Sequence, residues 1–298
     1  MTVVVDTGAV LEMKLDDTVV VSAELEGMRL LARLDRPKIT VVQEDLVGAS
    51  CLWEQSSEGG HRDLVRLRPG SGVPLSETLR AIRGSTVRRP GGHLEIRGTE
   101  GSLLPGADLL TMLGGRENLD LPRALMARDL GDQGTEADQL SDGTSVEVAD
   151  DAESLVELRK VVGQAFTEHL DEPEDGADED EPGELDVEAD FFHAPGVMTY
   201  LAVRAGDSII SAGSILIVDR VANVWSVATS PEHRGQGAAS AIMRAVCREA
   251  GRRGAEAAAL RTTEDLARPG GLYDTLGFEL LGHEHIWEVD DVDSLHTL

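Results

Sequence analysis

Between residues 18 and 68 the chain alternates short β-branched or apolar runs with polar breaks: TVVVSAEL, MRLLARL, KITVVQ, LVGASCLWE and DLVRLRP. Runs of this length, bounded by polar residues and glycines, read as short strands, so residues 1–130 are expected to form a β-rich unit. Pro69, Gly70, Gly72 and Pro74 interrupt the pattern before a short helix at 75–82, a basic patch at 83–89, a strand at 93–97 and an apolar stretch at 109–113. Residues 131–143, GDQGTEADQLSDG, carry Gly, Asp and Ser without an apolar period, the composition of a linker. A second unit, 144–298, is expected beyond it.

That second unit opens with a strand at 146–149. Leu155, Leu158, Val162, Phe166 and Leu170 then fall three or four residues apart, the stripe of an amphipathic helix over 152–170. Residues 171–190 hold twelve carboxylates and no basic side chain, and are expected to be an extended, self-repelling insertion. Strands follow at 198–203, 208–218 and 221–229, joined by short turns, which predicts an antiparallel meander. A helix from about Gly237 carries Ala239, Ile242, Met243, Val246 and Ala250 on one side. A small-residue strand at 256–261, a short helix ending at Gly277 and two strands at 278–281 and 285–289 complete the order. The fold class is α+β, with helices packed on a mostly antiparallel sheet.

Composition narrows the partners. At 298 residues the chain is long enough for two domains, and its net charge of -28 opposes a nucleic-acid backbone or an anionic membrane surface. A cationic ligand suits it better. Two cysteines, Cys51 and Cys247, lie far apart without metal-ligand spacing, so neither a disulfide framework nor a metal site is expected. His283 and His285 stand two apart on a strand without a third ligand nearby, and read as exposed strand histidines. The N-terminus lacks a basic start and a long apolar core, and no apolar run approaches ~20 residues, so a soluble, unprocessed cytoplasmic protein is expected.

The candidate chemistry is concentrated in VATSPEHRGQGAASAIM at 227–243, where a strand ends, a glycine-rich turn forms and a helix begins. The first turn of a helix leaves backbone N–H groups without partners and aligns peptide dipoles toward an anion. Gly235 and Gly237 permit unusual φ and leave the amides uncovered, while Arg234 adds charge. The order of strand, R-G-Q-G-A-A, amphipathic helix, small-residue strand and LYDTLGF resembles the GNAT superfamily of acetyl-CoA-dependent N-acetyltransferases across about 146–288. Arg234, Gly237 and Ala239 fill its signature of Arg or Gln, two residues, Gly, one residue, Gly or Ala.

The resemblance implies a cofactor site and a reaction. Val227, Ala228 and Thr229 correspond to the strand end that holds the pantetheine arm, with the Val227 amide at the thioester oxygen. Arg234, Gly235, Gln236, Gly237, Ala238 and Ala239 correspond to the pyrophosphate cradle, and Tyr273 to the tyrosine that assists the departing thiolate. Acetyl-CoA is the implied cosubstrate, with no metal. The implied acceptor is a primary amine, of a small cationic molecule or of a peptide; a protein acetyltransferase and a non-catalytic acyl-CoA-binding regulator are the alternatives. Two family features are missing. The strand VANVWSVAT holds no carboxylate to act as base, leaving Glu264, Asp265, His193, a water relay or an already neutral substrate, and RTTEDLARPGG replaces the usual asparagine. For residues 1–130, two readings stay open: a degenerate acetyltransferase repeat, or a β-rich accessory or dimerisation module that would make the protein a homodimer.

Overall fold

The computed structural model describes residues 15–32, 39–56, 61–85, 94–103, 106–119, 123–131, 144–167 and 197–289. The acidic run 171–190, most of the linker and His193 lie outside them. The first element corrects the sequence reading. The run TVVV was expected as a strand, but Asp17–Ala32 is a helix, α1. Asp16 accepts a hydrogen bond from the Val19 amide at 3.1 Å and so caps its first turn. Val20, Val21, Glu24 and Leu25 are buried while Thr18 and Ser22 are exposed, a helical period. Each valine costs only a few tenths of a kcal/mol in a helix, whereas burying such a side chain contributes about 1.5–3 kcal/mol, so tertiary packing overrides local preference.

Two similar runs of elements follow. The first is the antiparallel meander β1 (Ile39–Leu46), β2 (Ala49–Ser56) and β3 (His61–Leu67), then the helix α2 (Leu75–Gly84) and the strand β4 (Leu94–Thr99), parallel to β3. Short helices α3 (Glu100–Leu103) and α4 (Ala107–Met112) lead to β5 (Arg116–Glu117) and β6 (Ala124–Asp129). The second run begins with β7 (Thr144–Val148) and the helix α5 (Ala152–Thr167), whose first turn is capped by Asp151 through the Ser154 amide at 2.8 Å. The meander β8 (Thr199–Ala205), β9 (Ser208–Val218) and β10 (Val221–Thr229) follows, then α6 (Ala238–Arg252) and β11 (Ala257–Thr262), parallel to β10. Helices α7 (Glu264–Ala267) and α8 (Leu272–Thr275) precede β12 (Glu279–Val289). The sequence predicted two strands there; a bulge between Leu280 and Gly282 bends one continuous strand instead.

All twelve strands among the described residues join one sheet in the order β1-β2-β3-β4-β12-β6-β11-β10-β9-β8-β7, with β5 beside β12. The first half's β6 lies between β11 and β12, and the far end of β12 pairs with β4. A boundary drawn at 131–143 along the chain therefore does not separate two sheets. Helix α6 covers one face of the second half, packing Ala241, Ile242 and Val246 on Ala124, Met126 and Leu260. Helices α5 and α1 cover the opposite face, α1 against Leu125, Val221 and Ala259.

Where the halves meet, two carboxylates and two guanidiniums are buried together. Glu24 on α1 pairs with Arg66 on β3 at 2.8 Å and with Arg261 on β11, and Glu284 on β12 pairs with Arg261 at 2.7 Å and with Arg66. Burial pushes the Glu24 carboxyl up, but Arg261 and Arg66 outweigh it and hold the group at about 2, below its ordinary 4.5. A depressed carboxyl stabilises the fold fully above its unfolded pKa, and that contribution is lost as pH falls from about 4.5 to about 2. Thermal unfolding midpoints measured across that window should fall more steeply for the native protein than for Glu24→Gln, which has no such proton to gain.

Candidate functional site

The glycine loop sits at the C-terminal end of β10. Pairing between β10 and β11 covers only Val221–Asn223 against Ala257–Ala259, so Val224 to Thr229 have no register partner on β11. The two parallel strands diverge there and leave a split in the sheet. On the other side, the register with β9 slips between Trp225 and Ala228, and Ser226 adopts a left-handed φ of 55°. The bulge resets the alternation of side chains. Val224 and Val227, three apart, both join the α6 cluster, while Trp225 and Ala228 both face α5. A straight strand would have put Val227 with Trp225.

Beyond Thr229, the buried Ser230 hydroxyl meets the Ile210 carbonyl at 3.3 Å and His233 Nδ1 at 3.0 Å. Pro231–His233 form one 3₁₀ turn, and Arg234 Nε donates to the Thr229 carbonyl at 3.4 Å. Gln236 Nε2 donates to the Glu232 carbonyl at 3.0 Å, folding the loop on itself. Gly235 and Gly237 take φ of 71° and 86°, and a Cβ built on either meets nothing within 4 Å. Backbone conformation, not crowding, demands glycine here, and the space above the loop is open. Gly237 is the N-cap of α6 and supplies no side chain, so the first amides of α6 are not capped from within the loop.

Tyr273 lies on α8 with only 5% of its surface exposed, its ring edge-to-face with Phe278 at 5.9 Å. Burial pushes its phenol up to about 12, against a hydrogen bond with Thr262 that draws it down. Thr262 ends β11, so the phenol stands at the mouth of the split, on the same α6 cluster as Val227. Burial likewise pushes the Cys247 thiol up to about 11, and Cys51 further, which keeps both protonated and unsuited to act as nucleophiles. Every sequence-predicted residue from Val227 to Ala239 thus lies along one path from split to helix start, with Tyr273 beside it.

The base candidates separate. Glu264 begins α7, directly after β11, with a carboxylate oxygen 3.2 Å from His283 Nε2. Asp265 is exposed on the next position, and His193 lies outside the described residues. The sequence reading set His283 aside as a surface histidine and missed its pairing with Glu264. Nineteen residues of chain and two strand positions separate the two, and no linear spacing marks such a contact. Among the described residues, no group of three or more His, Cys, Asp or Glu is arranged to hold a metal, and no helix is long and apolar enough to cross a membrane.

The first half repeats the topology but not the split. Its β3 and β4 pair from Asp63 to Arg66, almost to the end of β3, so the strands stay together where β10 and β11 part. Its glycine loop, 68–74, ends in Pro74 at the N-cap of α2.

The Acetyltransferase (GNAT) family model matches residues 163–278. An uncharacterized N-acetyltransferase, YobR of Bacillus subtilis (strain 168), is 24% identical over 95 residues, 32% of this chain and 38% of that protein, so the match spans well under half of the relative. Among solved structures, a GCN5-related N-acetyltransferase from Kribbella flavida superposes with a TM-score of 0.58 at 19% identity, covering 91% of this chain and 95% of its own. A tandem GNAT protein from the clavulanic acid biosynthesis pathway gives 0.56 at 14% identity over 91% and 95%. Both superpositions extend across the first half. The mixed, mostly antiparallel architecture and its two-part layout are therefore those of known GNAT structures, which favours the repeat over an unrelated β-rich module.

Proposed function

We propose, from the premise that residues 163–278 form a GNAT acetyltransferase domain, that this chain transfers an acetyl group from acetyl-CoA directly to a primary amine of a small cationic molecule. The observation that carries this reading is the split between β10 and β11, with the Ser226 bulge on its edge and the uncapped start of α6 at its end. An extended pantetheine arm fits such an edge by adding main-chain hydrogen bonds at Val227, Ala228 and Thr229. The loop from Arg234 to Ala239 fits a pyrophosphate, because its amides are exposed and its glycines leave the approach clear.

Acetyl-CoA supplies an activated acyl group when bound; the chain's residues position it and manage charge. The Val227 amide, turned by the bulge, is the donor for negative charge developing on the thioester oxygen. Tyr273 holds its proton throughout the working pH range and donates a hydrogen bond to the departing sulfur. The protonated cysteines argue for direct transfer without a covalent enzyme intermediate.

Calorimetric titration with acetyl-CoA, followed by thiol release over a panel of primary amines, tests the reading. Absence of acetyl-CoA binding would overturn it. Replacing Gly237 with valine should weaken acetyl-CoA binding by roughly 10-fold or more, since a β-branched residue is strained at a φ of 86° and would cover the first amides of α6. Stability should change by only about 1–2 kcal/mol, the cost of left-handed backbone, because the surrounding space is open.

A further inference from the structure

Tyr273 can meet a departing sulfur only if α8, a helix of four residues, is fixed in place over the sheet. Its C-terminal turn fixes its shape. The Phe278 amide donates to the Tyr273 carbonyl at 3.0 Å and the Gly277 amide to the Asp274 carbonyl at 2.9 Å, with Gly277 at a φ of 77°. The edge-to-face contact between Tyr273 and Phe278 is the apolar contact that accompanies this motif. Two further bonds, from the Gly270 amide to Asp274 at 2.7 Å and from the Thr275 hydroxyl to the Leu272 carbonyl at 2.8 Å, stay within the same stretch. They set the shape of the turn but not its position. Ladder pairing of β12 with β6 begins only at Glu279.

The motif leaves the Leu276 carbonyl over, and the first half of the chain takes it up. Arg128 on β6 donates from Nη1 to that carbonyl at 2.6 Å, across 148 residues of sequence. A Cβ built on Gly277 would stand 3.6 Å from Arg128 Nε, so the guanidinium lies directly against the turn. Along the paired strands Arg128 is opposite Ala258 and Ala124 opposite Thr262, the hydrogen-bond partner of the Tyr273 phenol. Arg128 and Ala124 are about 13 Å apart on their strand. Tyr273 and its turn span that interval, held near the split by Thr262 and at the far end by Arg128. Ala124 and Met126 of the same strand belong to the buried cluster that contains Tyr273 and Phe278.

We propose that Arg128 is a positioning residue for acetyl transfer: by holding the Leu276 carbonyl from the first half's β6, it fixes the turn that aims the Tyr273 hydroxyl at the departing sulfur. The proposal rests on the acetyl-transfer reading above. It gives the first half a part in the reaction without a second acetyl-CoA site, through the strand it supplies between β11 and β12. Arg128 itself touches no reacting atom. Without its donor the carbonyl of Leu276, a residue only 6% exposed, has to turn outward to find water, and the turn moves with it. A hydroxyl displaced by about 1 Å loses the alignment on which its hydrogen bond to sulfur depends.

The chain has two tyrosines, Tyr200 on β8 and Tyr273, so the full chain labelled with fluorotyrosine gives two fluorine NMR resonances, assigned by Tyr273→Phe. Adding CoA, which carries the sulfur, should shift the Tyr273 resonance and leave that of Tyr200 in place. In Arg128→Met the Tyr273 resonance should be displaced before CoA is added and most of its response to CoA lost, while CoA affinity by calorimetry stays within about twofold. A Tyr200 resonance at its native position shows that the variant is folded. Should Arg128→Met not fold, Arg128→Lys, which keeps a donor at the same strand position, carries the same comparison with a smaller displacement. Thiol release from acetyl-CoA, with 1,4-diaminobutane as the probe acceptor, supplies the kinetic counterpart. Arg128→Met should lower kcat roughly 10-fold alone but less than about twofold in the Tyr273→Phe background, where the hydroxyl it positions is absent. An unmoved Tyr273 resonance with its CoA response intact, or equal losses in both backgrounds, would overturn the proposal. A native Tyr273 resonance that ignores bound CoA would remove Tyr273 from the chemistry and the proposal with it, whereas failure of the native protein to bind CoA would overturn the acetyl-transfer reading itself.

Discussion

Replacing Arg66 with methionine is expected to lower the free energy of unfolding by roughly 3–5 kcal/mol, measured by denaturant unfolding at neutral pH. The magnitude follows from charge balance. Glu24, Arg66, Arg261 and Glu284 sum to zero, and Arg66 is 1% exposed. Without Arg66, the two buried carboxylates keep Arg261 as their shared ion-pair partner, with Arg97, itself paired with Glu95, acting on them only from further away. A second substitution distinguishes this cause from a packing defect. Adding Glu24→Leu leaves Arg261 and Glu284 as a balanced pair at 2.7 Å, and should restore more than half of the lost stability. A double variant no better than the single one would contradict the charge-balance account. Because the four residues come from α1, β3, β11 and β12, the single variant should also unfold both halves together.

The largest expected effect at the transfer site comes from Tyr273→Phe, which should lower kcat roughly 10- to 150-fold while leaving acetyl-CoA affinity nearly unchanged. The range is that of one hydrogen bond to a charged group, about 1.5–3 kcal/mol. A larger loss is not expected, because a phenol held near 12 does not surrender its proton to a thiolate whose acid has a pKa of ~8.5. In the proposed reaction it keeps the proton and stabilises charge on sulfur through a hydrogen bond. For the same reason, activity should not decline through Tyr273 ionisation below about pH 11, since the folded pKa is raised and the protonated form persists. Single-turnover thiol release checks the first expectation and a pH profile the second. Equal turnover by the variant would remove Tyr273 from the chemistry. The ring should remain seated, because its edge contact with Phe278 does not use the hydroxyl.

How far the linear chain carries the reader depends on the range of the forces involved. The start of α6 was legible because glycine's access to positive φ and the amphipathic period of Ile242, Met243, Val246 and Ala250 are local properties, and both appear in the fold, although Ala239, expected on the same side, is not among the buried residues. The meander β8 to β10 was legible for the same reason, its turns falling at Gly206 and at Asp219 and Arg220, all with positive φ. Helix α1 was not. Its three consecutive valines favour a strand locally, and only the apolar surface of β6, β10 and β11 makes the helix the better burial. The likeness of the first half's fold to that of the second was open from sequence and emerges from topology, with its β3 and β4 closed where β10 and β11 part.

By itself, then, the sequence determined where a glycine-led helix start lies, which tyrosine stands after it, and that the chain carries a net charge of -28, since these depend on neighbouring residues and on summed charge. Tertiary structure alone decided that β6 crosses into the second sheet, that β10 and β11 separate at Val224, that Ser226 turns the strand edge, and that His283 meets Glu264. Each of those depends on hydrogen-bond register and packing between segments far apart in the chain. Free energies of that kind are set by which surfaces are buried together, and no local pattern of residues encodes them.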